Sequence, residues 1–94
     1  MTIDLTAAVD DVGVHHGYAC DLELHVDAGS VGVALTATDI DSFLGSEKVV
    51  DARTPRYRTT VSSTKPPRFL LLRNTADGIA SKIRVVSAVL RPGA

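Results

Sequence analysis

The stretch Gly17-Tyr18-Ala19-Cys20-Asp21-Leu22-Glu23-Leu24-His25-Val26 decides the fold class. Tyr18, Cys20, Leu22, Leu24 and Val26 alternate with Ala19, Asp21, Glu23 and His25. Successive side chains on a strand point to opposite faces, so a period of two marks a strand with one face inward. Here that inward face is apolar. The other is acidic or imidazole. Asp27-Ala28-Gly29-Ser30 follows with turn chemistry, and Val31, Val33, Leu35 and Ala37 resume the alternation. A hairpin is expected at that point.

The same rhythm extends in both directions. Ile3, Leu5, Ala7 and Val9 alternate with Thr2, Asp4, Thr6 and Ala8, which predicts a strand at the start of the chain. Residues 38–45 read as one helical turn, with Asp39 as its cap and Gly45 as its end, or as a plain loop. Lys48 to Ala52 reads as a short strand, closed off by Pro55. Tyr57, Thr59 and Val61 alternate with Arg56, Arg58 and Thr60, a strand with a basic outer face. Pro66 and Pro67 cannot donate backbone hydrogen bonds, so they belong to a connection. Arg68 to Asn74 is a strand and residues 74–78 are a turn. Ser81 to Leu90 is the last strand, ended by Pro92-Gly93. A helical reading of residues 79–90 competes, but the β-branched Ile83, Val85, Val86 and Val89 favour a strand. Turn signals every 8 to 12 residues are the mark of a sandwich or small barrel. The expectation is an all-β, single-domain fold over residues 1–94: a jelly-roll-like β-sandwich of seven to eight short antiparallel strands.

Composition sets the outer limits. Ninety-four residues, 45% hydrophobic and 22% charged, suit one modest globular core. One cysteine gives no internal disulfide and no reason to invoke an oxidising compartment. The stretch MTIDLTAAVDD lacks the basic and apolar regions of a signal peptide, and no apolar run is long enough to span a membrane. The chain is therefore expected to be a whole small protein without a leader and without a membrane partner. Its net charge of −1 conceals a division. Residues 1–47 hold nine acids (Asp4, Asp10, Asp11, Asp21, Glu23, Asp27, Asp39, Asp41, Glu47) and no Lys or Arg. Residues 48–94 hold all ten Lys and Arg against Asp51 and Asp77, so the halves carry −9 and +8.

The order of these features resembles the jelly-roll sandwiches of carbohydrate-binding-module type. The resemblance rests on Gly17-Tyr18 opening an alternating strand, on Tyr57 to Ser62, on Arg68 to Asn74, and on Ser81 to Val89 as the closing strand. It spans about three quarters of the chain as a pattern of strands. Such modules stack sugars on aromatic rings. This chain has two Tyr, two Phe and no Trp, and of these only Phe43 falls in a loop. The architecture is also similar to the small accessory proteins of tailed-phage virions, such as capsid decoration proteins and fibre or spike bases. That second resemblance implies a structural role, carried by contacts with other proteins.

Candidate chemistry is sparse. His15, His16, His25 and Cys20 lack the spacing of a metal site, and the odd separation of Cys20 from His25 sends them to opposite faces. Asp39-x-Asp41 opens like a calcium loop, but the later ligands of such a loop are missing. No Ser sits in a nucleophile elbow. Arg53, Arg56, Arg58, Lys65 and Arg68 cluster around Tyr57, yet a net acidic chain with one interleaved aromatic is a poor match for nucleic acid. The divided charge has two readings. Early acidic strands could pair with late basic ones inside one sandwich. Alternatively, the charges could separate onto two surfaces through which copies meet.

The functional expectation is a non-enzymatic structural protein without cofactor or metal, assembling as a homo-oligomer or on a capsid or fibre protein. A glycan is the alternative partner, and nucleic acid is not expected. A small enzyme or calcium-binding module is the distant alternative. The place of action would be the virion if the gene belongs to a phage, and otherwise the cytoplasm. The expected interaction surface comprises Arg53, Arg56, Arg58, Arg68, Asp21, Glu23 and Phe43.

Overall fold

Seven strands and one short helix follow the alternation read above. They are β1 (Thr2–Asp4), α1 (Thr6–Val12), β2 (Tyr18–Ala28), β3 (Ser30–Thr36), β4 (Lys48–Asp51), β5 (Tyr57–Ser63), β6 (Phe69–Asn74) and β7 (Lys82–Pro92). The computed structural model describes residues 1–13, 17–39, 43–51, 56–76, 78 and 80–93. The strands form two antiparallel sheets, one ordered β1-β6-β3-β4 and the other β5-β2-β7. The fold is an all-β sandwich, and its strand count lies within the range the sequence predicts.

The core lies between the sheets. Cys20, Leu22, Leu24 and Val26 of β2 meet Val31, Val33 and Leu35 of β3, with Val61, Leu70 and Leu72 filling in from the flanking strands. Cys20 and Leu24 are fully buried, as the period-two reading requires. Tyr18 is 1% exposed, and its hydroxyl donates to the Gly13 carbonyl at 3.0 Å, which satisfies the polar tip of a buried ring. That bond ties the end of α1 to the start of β2.

Two local readings are corrected. The first strand ends at Asp4, and residues 6–12 are helical. Leu5 and Val9 are four apart, an even separation that shares one face of a strand and also about one turn of a helix, so the sequence fits both periods. The Leu5 N–H goes to the Arg68 carbonyl, and the Asp4 carboxylate takes the Thr6 N–H, one of the donors that a helix start leaves unmatched. The second correction is the expected hairpin. β2 and β3 are joined by Gly29 alone and lie in different sheets, so the chain arches across the core. In the segment read as one helical turn or a plain loop, the described residues are loop, with Phe43 bridging to Thr36 and the Leu44 N–H donating to the Leu35 carbonyl. Residues 40–42 lie outside the described set.

Gly29 holds the arch at φ 77°. The Ser81 hydroxyl packs against its open side, accepting from the Ser30 N–H at 3.0 Å and donating to the Ser30 carbonyl at 2.6 Å. A Cβ at Gly29 would collide with the Ser81 hydroxyl and crowd its backbone. Gly13 has a similar φ of 83° but faces open space. Gly29→Ala is therefore expected to destabilise the fold by about 1–3 kcal/mol, and by more than Gly13→Ala, which shares only the backbone strain. Denaturant midpoints of the two variants check this. Equal losses would mean that the Ser81 contact contributes nothing.

Candidate interaction surface

The middle strand of the three-stranded sheet positions the candidate residues. Because Leu22 and Leu24 face inward, Asp21 and Glu23 must face outward. The register places Glu23 opposite Arg58 of β5 and Ser87 of β7, and Asp21 opposite Thr60 and Val89. The Nε atoms of Arg56 and Arg58 both donate to Glu23 Oε1, at 3.0 and 2.7 Å. Thr60 donates its hydroxyl to Asp21 at 2.7 Å. Arg91 of β7 reaches the same carboxylate through Nε at 2.6 Å and Nη2 at 3.3 Å. Between them lies a shallow, open depression of about 540 Å³, floored by Asp21 and Glu23 and rimmed by Arg58, Thr60, Ser87 and Val89.

This arrangement answers the question posed by the divided charge. Acids of the first half pair with bases of the second half inside one molecule. The Arg58 side chain remains 77% exposed while that of Glu23 is only 11% exposed, so the Glu23 carboxylate is covered by guanidinium groups, whereas the Asp21 carboxylate stays open to solvent. The Arg56 and Arg58 hydrogen bonds hold the Glu23 carboxyl below the ordinary carboxylate range. Arg91 and then Thr60 do the same for Asp21.

Of the remaining expected residues, Arg68 and Phe43 do not join this face. Arg68 stands 4.0 Å from Asp4 on the other sheet, with its guanidinium over the Phe69 ring at 5.6 Å. Phe43 is half-exposed, and the Arg73 guanidinium covers one face of its ring at 5.5 Å. That leaves less ring for a sugar to stack upon. Arg53 lies outside the described residues, as do His15, His16 and Asp41. Tyr57 packs against the core, so its ring does not interleave with the arginines. His25 faces outward opposite Arg84, and Cys20 faces inward. Burial pushes the Cys20 thiol up to about 11, with the Asp21 charge adding to it, so the group stays a protonated core residue. Among the described residues, no group of three or more His, Cys, Asp and Glu is placed to hold a metal ion. No helix among them is long and apolar enough to cross a membrane.

Sequence reasoning missed a second ion pair of the same kind. Glu47 and Arg73 meet in a two-pronged contact at 2.5 and 2.8 Å across the outer face of β3. Arg73 holds the Glu47 carboxyl low. The pair crosses over Gly32, where a Cβ would collide with the carboxylate. The one sequence signal was a glycine within an otherwise apolar strand, which marks a close approach. Comparison with protein-family models, with curated proteins and with solved structures finds no match for this chain.

The depressed carboxyls set the pH response. A carboxyl whose folded pKa lies below its unfolded value of about 4 adds stability at higher pH, and that stability is lost as pH falls through the folded value. The melting temperature is expected to change little from about pH 8 to 5 and to fall steeply below about pH 4. Glu23→Gln should make that acid limb shallower, because Gln has no proton to gain. Melting curves of both proteins across pH test this, and acid limbs of equal slope would refute the role given to Glu23.

Proposed function

We propose that this chain is a non-enzymatic assembly protein, of the kind that decorates a virus capsid or forms the base of a virion fibre, acting through protein–protein contacts. The observation that supports this reading is the edge strand β7. It runs eleven residues, pairs among the described residues with β2 alone, and exposes Val86 and Val89 to 49% and 57%. Folded proteins blunt long apolar sheet edges, because an edge offers unpaired N–H and C=O groups to any extended chain. The start of β7 is blunted in this way by Lys82, Arg84 and the bulge at Val86, but residues 87–90 lack such protection, and an edge stretch left regular suits a protein that binds another.

The rival reading, a sugar-binding module, rests on the depression beside Asp21 and Glu23. Its carboxylates are already engaged by arginines and a threonine, so a sugar hydroxyl would have to displace those bonds. Among the described residues, no aromatic ring lines it. The assembly reading is favoured on that ground.

Sedimentation of virus particles from a source that carries the gene tests the proposal. The chain should co-sediment with intact particles at a fixed ratio to the shell protein. Its presence only in the soluble fraction would overturn the reading. Saturable binding on a glycan array, weakened by Phe43→Ala, would replace it with the sugar-binding one.

A further inference from the structure

We infer that two copies of this chain pair through β7, antiparallel about a two-fold axis at Val89, so that two three-stranded sheets become one six-stranded sheet. The inference rests on the assembly reading and names the partner as a second copy. Each sandwich has four sheet edges, and three are poor candidates. β1 has three residues and β4 has four. β5 has seven, but Gly45 lies so close that a Cβ there would meet the Ser62 carbonyl at 2.5 Å. β7 is the longest edge and carries two of the exposed large apolar side chains.

The register follows from the bulge. Val86 is the extra residue where the pairing with β2 shifts between Val85 and Ser87. A bulge twists an edge and stops regular pairing. The regular stretch is therefore residues 87–92, within which Ala88 and Leu90 oppose the inward-facing Leu22 and Cys20. Ser87, Val89 and Arg91 share the outer face. Antiparallel pairing about Val89 preserves these faces. Ala88 of one copy then lies opposite Leu90 of the other, Ser87 opposite Arg91, and Val89 opposite its own mate. No like charges meet directly, and Arg91 is already neutralised by Asp21. A two-fold contact needs a surface complementary to itself.

Charge at the two ends of β7 agrees with the two-fold. Lys82 and Arg84 are exposed at its start. Helix α1 packs near β7 and carries the exposed Asp10 and Asp11. Because the Gly93 N–H donates to the Gly17 carbonyl, the far end of β7 is the end where β2 begins, just after α1. The two-fold turns the basic end of each copy toward the acidic end of the other, an arrangement that steers association. The paired stretch is short, so the dimer is reversible and weakens with salt.

A residue on a two-fold axis within a sheet faces its own copy at cross-strand distance, which suits a disulfide. Val89→Cys should therefore give a covalent dimer on mild oxidation, while Ser62→Cys, on the opposite edge, should stay monomeric. The fully buried Cys20 leaves this readout clean. In analytical ultracentrifugation the native chain should dimerise reversibly. Val89→Glu, which sets two like charges face to face, should weaken the dimer by roughly tenfold or more with an unchanged circular dichroism spectrum. A native chain that is monomeric at every concentration overturns the inference, as does cross-linking of Val89→Cys no faster than that of Ser62→Cys. A monomer that still sediments with virus particles overturns the dimer and leaves the assembly reading standing. A dimer never found on particles does the reverse.

Discussion

β2 carries two obligations at once. As the middle strand of its sheet it is hydrogen-bonded on both sides, and its inward side chains form one wall of the core. Its outward carboxylates lie beside β5 and β7 and pair with groups of those strands. Glu23 is covered from the β5 side by two guanidinium groups, and Asp21 is held between Thr60 and Arg91. A carboxylate as covered as that of Glu23 is costly without partners, so this strand favours the late basic strands as its neighbours. The order of the three-stranded sheet agrees with that preference.

The division of charge along the chain therefore has a topological cause. In both sheets the ion pairs join an early element to a late one: β2 to β5 and β7, β1 to the residue before β6, and the segment before β4 to β6. Each exposed pair contributes only about 0.2–1 kcal/mol, so the pairs do little for overall stability. Their effect is on choice. A strand slipped by one residue would turn its apolar face to solvent, and an outer face with matched charges opposes the slip as well. Acids on early strands and bases on late ones also mark which neighbours belong together.

This explains how far the sequence could be read. Strands such as β2 and β5 were legible because their outward positions carry charged or polar residues, and period two records that directly; β3 kept the rhythm although both its faces are buried. Their partners were not legible. Whether Asp27-Ala28-Gly29-Ser30 turns back in the same sheet or arches to the other depends on which strands already flank β2, and residues 27–30 carry no trace of those flanks. The first strand was overread because Ile3, Leu5 and Val9 satisfy a strand and a helix alike. The choice between them is made by the Arg68 carbonyl, more than sixty residues away. Asp21 and Glu23 were singled out correctly as outward charges, and Arg56 and Arg58 as a basic face. That they clasp one another emerges only from register. Glu47 with Arg73 escaped notice because neither belongs to an alternating acidic or basic run.

Internal pairing also shifts where function can reside. Once Asp21, Glu23, Arg56 and Arg58 satisfy one another, a partner that used them would first have to break those bonds. The groups left over are of a different kind: the backbone of an edge strand, two valines, and charges at its ends. These were hidden from a reading that looked for chemistry in charged side chains, because an open edge is a property of sheet order. Ser81 to Leu90 reads as an ordinary strand in the sequence. It stands as a sheet edge because β2 takes its other side and, among the described residues, no further strand pairs with it. The same closing position that completes the core of one molecule thus leaves β7 as its most open edge.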